Sequence, residues 1–288
     1  MPWYVYALAT MVFAAAAALF HKRALGQVHA LEFSAALSLA SLVVLLPFLD
    51  LIDFASVSWP AFGIITISTL FGAGSFLLVT KAMRHLEVST VSPWLALEPV
   101  VVAVLGIVLL GENLTWPQAL GVALCTVGVF VLQHSLADPG LKGSFWKSPY
   151  VRMILLAVVC YSFAVIGDRL ALGYYGVQPL AYLVVTEIEL AAIFIALLFM
   201  RFDGWAGITH AYRIAGWFIV GAAILTVAHR FAHAEAVSLA SAALITPIKR
   251  SAVLLVTAIG GELFHEHQLG RKIFASVIIL FGVVLTIL

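Results

Sequence analysis

Charge is what this 288-residue chain has least of. Only 10% of its residues are charged, 15 Lys and Arg against 14 Asp and Glu, for a net charge of +1 at pH 7. Soluble domains carry about 25% charged and about 45–50% apolar residues. Here 64% are hydrophobic and the mean hydropathy is +1.12, so the surrounding solvent is lipid rather than water. A net charge this small, with no basic stripe, argues against a nucleic-acid partner. Cysteine is scarce: Cys125 and Cys160 both fall in apolar stretches and read as small core residues, not as a disulfide. There is no G-x-S-x-G elbow, zincin motif or Walker loop, so the chain reads as no enzyme and needs no cofactor, and transport by it would be driven by a gradient or by exchange. His265 and His267, with Glu262 and Glu266 beside them, match no strong zinc spacing, and no metal is expected. A basic segment before the first apolar run is also missing. In "MPWYVYALATMVFAAAAALF" (1–20) the charges Lys22 and Arg23 follow the run, which makes it a first spanning helix rather than a cleavable signal.

Long hydrophobic runs are what the sequence has in abundance. A spanning helix needs about 20 mostly apolar residues, and ten segments qualify: 3–20, 31–49, 59–80, 88–110, 115–132, 151–170, 179–200, 213–229, 237–262 and 271–288. Turn-like stretches separate them, among them "DLIDFASVSWP" (50–60) and "GENLTWP" (111–117). Pro60, Pro117 and Pro149 stand where helices would begin. Runs such as "VVVAVLGIVLL" (100–110) lack the alternation of a barrel strand. The expected fold class is therefore all-α: a multi-pass integral membrane protein of ten transmembrane helices. Trp3, Tyr4, Tyr6, Trp59, Trp116, Trp146, Trp205 and Trp217 fit an interfacial aromatic belt. Gly72, Gly74 and the "AAAAA" of 14–18 read as surfaces for close helix packing.

Basic residues orient the bundle. Lys22, Arg23, Lys81, Arg84, Lys142, Lys147, Arg152, Arg201, Arg213, Arg271 and Lys272 fall in odd-numbered connections, and Arg169 and Arg230 in even ones. This count puts both termini outside the cytoplasm. The longest connection, 133–149, leaves five spans on either side, and duplication of an odd number of spans yields inverted repeats. The expected division is 1–132 and 150–288, joined by 133–149. Glu112 and Glu266 each precede a glycine of a closing helix, Gly128 and Gly282, by 16 residues.

The segment "LEPVVVAVLGIVLLGENLTWPQALGVALCTVGVFVL" (97–132) resembles the closing part of an EamA-type repeat of the drug/metabolite transporter superfamily. Glu98-Pro99, Gly111-Glu112 with Thr115, Gly121 and Gly128 carry the likeness, as does Lys22-Arg23-Ala24-Leu25 at the end of the opening helix. In the second half Ile248-Lys249-Arg250-Ser251 carries it, with Glu266 seventeen residues beyond Lys249. The resemblance implies inverted five-helix repeats, a central cavity, and export or exchange of small metabolites such as amino acids. The second half departs from the pattern in lacking a Glu-Pro pair. Many relatives also keep both termini inside, opposite to the charge count.

Five ionisable residues lie deep in expected spans: Glu98 in the fourth, Glu187 and Glu189 in the seventh, Lys249 and Arg250 in the ninth. At such depth a charge faces protein or water rather than lipid. Glu187 and Glu189 are about 200° apart on a helix and cannot share a face. The structural reading pairs Lys249 or Arg250 with Glu187 or Glu189, locking the seventh helix to the ninth. The functional reading has one base hold a carboxylate or phosphate of a substrate; in a third, the pair opens and closes during transport. Pro99 and Pro247 are the expected helix-kink positions, and Glu98 has a conformational role or, alternatively, carries a coupling proton. Trp94, one turn before Glu98, is a candidate cavity-lining residue. The function expected is secondary transport of a small polar metabolite, an amino acid or organic acid, by alternating access. A lipid or lipid-linked flippase and a non-transporting bundle are the alternatives. The partners expected are the substrate, the lipid bilayer, and a proton or other coupling ion. The expected state is a monomer or homodimer in a bacterial or archaeal cytoplasmic membrane.

Overall fold

The computed structural model describes residues 1–83, 94–135, 149–200, 204–252, 254–255 and 269–288. Ten α-helices are found among them: α1 (Trp3–Leu25), α2 (Ala30–Leu45), α3 (Trp59–Met83), α4 (Glu98–Leu110), α5 (Trp116–Ser135), α6 (Pro149–Arg169), α7 (Pro179–Met200), α8 (Gly204–Leu239), α9 (Ala242–Arg250) and α10 (Leu269–Ile287). No strand occurs among the described residues. Each helix corresponds in order to one expected span. Six stretches are long and apolar enough to cross a membrane: Trp3–Leu25, Ala30–Leu51, Trp59–Val79, Pro149–Tyr174, Pro179–Met200 and Gly204–Leu239. Glu98–Leu110, Trp116–Val131 and Phe274–Ile287 are shorter apolar helices. Large apolar side chains stand on the outside throughout, Val108 at 71% exposure and Trp217 at 83% among them. Helices apolar all round are what a lipid solvent permits.

The eighth helix departs most from expectation. It runs 36 residues rather than the expected 213–229, with one non-helical residue, Ala215 (φ −123°, ψ 18°). It therefore takes in Arg213 and Arg230, which the charge count had placed in connections. No proline or turn signal lies at either expected end, and "RFAHAEAVSL" (230–239) is as compatible with helix as what precedes it. Trp217 consequently sits well inside a helix rather than at an end, whereas Trp3, Trp59, Trp116 and Trp205 stand at helix starts. Trp146, most of the 133–149 connection and the His265–His267 segment lie outside the described residues.

The chain divides into two compact units, Met1–Thr69 with Asp168–Leu239 and Leu70–Gly167 with Ala240–Leu288. In the first, α8 packs along α1, α2 and α7, and α2 also packs on α7. Ala15 and Ala17 of the alanine run are buried, and a Cβ on Gly221 of α8 would meet the Phe20 ring at 2.5 Å. In the second, α5 packs along α10, and α9 lies on α4 and α5. The α5–α10 crossing is backbone against backbone. A Cβ on Gly121 would stand 2.8 Å from the Gly282 carbonyl oxygen, and one on Gly282 2.7 Å from the Cys125 nitrogen. Cys125 is buried there, its Sγ 3.6 Å from the Ile279 carbonyl oxygen. The expected glycine contacts in α3 are looser: Gly72 meets only the Ala164 methyl at 3.9 Å, and Gly74 meets nothing within 4 Å.

Candidate functional site

Each unit holds its own buried polar layer. In the second, the layer is built around α9. This helix starts at a Ser241 cap whose hydroxyl oxygen accepts from the Ala243 N–H at 3.2 Å. The Ser241 hydroxyl donates in turn to the Glu112 carboxylate. Gly111, at φ +64°, makes the left-handed turn that ends α4 and so delivers Glu112 to the start of α9. A carboxylate at a helix N-terminus is favoured there by the helix dipole. The Gly-Glu pair singled out in the sequence thus joins the α4–α5 connection to α9, and Gly106 leaves room for it: a Cβ there would be 2.9 Å from the Glu112 Oε2.

At the other end of α9, the Arg250 guanidinium forms an ion pair with Glu98, which is 1% exposed. The Lys249 Nζ donates to the Tyr161 hydroxyl oxygen at 2.5 Å. It also lies 5.0 Å from the Tyr161 ring centroid, and the Arg250 Cζ lies 5.7 Å from it. One ring therefore serves both cations, a contact worth about 0.5–1 kcal/mol where exposed and about 2 where dry. Arg250 is eight residues from the start of α9, about 12 Å into the unit at 1.5 Å per residue.

Two expectations change here. Arg250 pairs with Glu98, not with Glu187 or Glu189, because α9 packs most extensively on α4. Pro99 is not an interior kink. Helical backbone at Trp94 and Leu95 gives way to a turn at Ala96 and Leu97, and α4 starts afresh at Glu98 with Pro99 in its first turn. There its missing N–H costs nothing. Pro247 does lie inside its helix, and α9 ends three residues later at Arg250. Trp94 is half-buried and packs with the cluster of Ala82 and Ile154.

The first unit's layer was largely missed from sequence. Glu187 of α7, 2% exposed, forms an ion pair with Arg230 of α8. Glu189, two residues on, goes to a different helix and meets the Thr66 hydroxyl of α3 at 2.5 Å. The Ser68 hydroxyl donates to Asp168, which also interacts with the buried Tyr182. Arg169 next to it spans to the end of α8, where its Nη1 donates to the carbonyls of Val237 at 2.6 Å and Ser238 at 3.3 Å. Carbonyls in the last turn of a helix lack intrahelical partners, so Arg169 caps α8. It reaches them from the last residue of α6, beside the π-turn Leu170–Tyr174, where the missing Cβ of Gly173 leaves space for the guanidinium. Arg230 and Asp168 escaped notice because hydropathy alone ended their spans beside them. Tyr161 gave no signal separate from ordinary packing. Among the described residues no three His, Cys, Asp or Glu side chains converge as a metal site would require.

Residues 1–133 match the family model of the EamA-like transporter family. A search of curated proteins returns no match. Among solved structures, one described as "Crystal structure of protein" is similar at a TM-score of 0.74 and 17% identity, covering 98% of this chain and 94% of the other. At that identity the likeness is one of fold.

Proposed function

We propose that this chain, a membrane transporter of EamA type by its match over residues 1–133, is a secondary carrier. It moves a small polar metabolite bearing a carboxylate, an amino acid or organic acid, by alternating access. The observation that carries this reading is the pair of cations at the end of α9. Lys249 and Arg250 lie beside one ring, and among the described residues Glu98 alone forms an ion pair with either, no carboxylate lying within ion-pair distance of Lys249. A cation without a carboxylate partner is costly within an apolar bundle, and an arriving carboxylate would lower that cost. Arg250 would offer the fixed bidentate fork and Lys249 the mobile point charge. Glu98 holds Arg250 while the site is empty and competes with the ligand, which favours release as well as capture.

The inverted-repeat organisation, 1–132 and 150–288 about the 133–149 connection, belongs to the same proposal. Supporting it, α2 packs on α7, α4 on α9 and α5 on α10. These are helices five apart in order, as expected when equivalent elements of two repeats meet at a pseudo-two-fold axis.

The test is thermal unfolding of the full chain in detergent with a panel of amino and organic acids. A ligand at 100 times its Kd stabilises by about 2.7 kcal/mol. Carboxylate-bearing compounds are expected to stabilise the wild type and not Lys249→Met, whose unliganded melting temperature should be no lower than that of the wild type. Equal stabilisation of both proteins would count against the reading.

A further inference from the structure

We propose that Tyr161 is a substrate-binding residue, its hydroxyl donating to the carboxylate that Lys249 receives; this role rests on the carrier reading. A tyrosine hydroxyl has one hydrogen to donate and an oxygen that also accepts, whereas a lysine ammonium has three hydrogens and accepts nothing. The 2.5 Å contact between the Lys249 Nζ and the Tyr161 hydroxyl oxygen therefore uses a lysine hydrogen and a tyrosine lone pair. The hydroxyl's own hydrogen meets no acceptor among the described residues. The remaining hydrogens of the Lys249 ammonium meet none there either. A carboxylate, which only accepts, would find an ammonium and a hydroxyl side by side, each with a hydrogen to give.

The neighbours of Tyr161 give its hydroxyl no other use. Tyr161 lies twelve residues from Pro149 and eight from Arg169 along α6, hence about 18 Å and about 12 Å from the helix ends. Its ring packs on the cluster of Val102, Val165, Ile166 and Ala242, whose side chains offer no acceptor. Ser162, next in sequence, spends its hydroxyl hydrogen on the Val158 carbonyl oxygen at 2.8 Å. Glu98, the carboxylate paired with Arg250, is engaged by that guanidinium. The Arg250 Nε is itself buried with no hydrogen-bond partner among the described residues. Buried donors without acceptors are rare in folded proteins, and here the unspent donors fall on three side chains that share one ring. Lys249 and Arg250 supply charge, and the neutral hydroxyl supplies direction.

The test is calorimetric titration of the full chain in detergent, with alanine, glutamate, pyruvate and succinate as probes. Tyr161→Phe keeps the ring, both cation contacts and the packing on Val102 and Val165, and removes only the hydroxyl. Its affinity for an acid that binds the wild type should fall at least tenfold, about 1.4 kcal/mol, as loss of a hydrogen bond to a charged group requires. A hydroxyl that merely held Lys249 in place would weaken binding too, so a second measurement reads the donation itself. In difference infrared spectra of the wild type with and without the acid, a tyrosine C–O stretch should move as the hydroxyl begins to donate. Tyr161→Phe should lack that change. An affinity unchanged in Tyr161→Phe, or no tyrosine band moved by a bound acid, overturns the proposal. If Lys249→Met still loses binding, either result leaves the carrier reading standing. A wild type that binds none of the four acids, or a Lys249→Met that binds them equally well, counts against the carrier reading, and the role of Tyr161 falls with it. The infrared shift is read on the wild type, so it decides the matter even where Tyr161→Phe fails to fold.

Discussion

Replacing Gly282 by alanine should weaken the second unit, and the coordinates set how much. The new Cβ would stand 2.7 Å from the Cys125 backbone nitrogen, 2.8 Å from the Cys125 Sγ and 2.9 Å from the Gly121 carbonyl oxygen. Two of these are backbone atoms of α5, so relief requires the helices to separate. Overpacking costs about 1–3 kcal/mol, and because backbone atoms must move here the upper part of that range, about 2–3 kcal/mol, applies. Alanine recovers about 1 kcal/mol of that through helix propensity. The expected net loss is about 1–2 kcal/mol. Gly74→Ala is the control: nothing lies within 4 Å of its Cβ, so only the propensity gain of up to about 1 kcal/mol remains. Unfolding in mixed micelles, titrated with a denaturing detergent, measures both. If Gly282→Ala proves as stable as wild type, or if Gly74→Ala loses as much, the close α5–α10 crossing is wrong.

Two further outcomes follow from the ion pair and the cap. Glu187→Gln should remove one partner of a buried pair and destabilise by about 3 kcal/mol, the lower end for such losses, because the Arg230 side chain keeps 22% exposure; Glu187→Met with Arg230→Met should recover most of it in the same assay. Ser241→Ala should cost about 1 kcal/mol, as loss of an N-cap does, and should raise hydrogen exchange at Ala243 before other α9 amides.

Sequence made the helices legible because lipid leaves little else possible: every backbone group must be satisfied within its own segment. The order and number of segments could be read from hydropathy, and α7 begins and ends at its expected residues, 179 and 200. Ends were less legible where no proline or glycine punctuates the chain, as at Arg230. That one misplacement hid the partner of Glu187. The acidic and basic residues of the layers were visible individually, but their pairing was not, since it depends on which helices pack together. Lys249 and Arg250, adjacent in sequence, share Tyr161 because α6 passes beside α9, a fact no local pattern carries. Glu112 was legible as a motif and not as a partner of Ser241, 129 residues away.

The central proposal, that the Lys249 ammonium beside Tyr161 receives the substrate's carboxylate, is tested most directly by uptake into vesicles. Transport of carboxylate-bearing metabolites would be compared with that of their neutral amides, in wild type and in Lys249→Met. The account predicts that the wild type prefers the acids at least tenfold, about 1.4 kcal/mol, and that Lys249→Met loses the preference. Equal preference in both proteins, or a wild type that favours the amides, would contradict it.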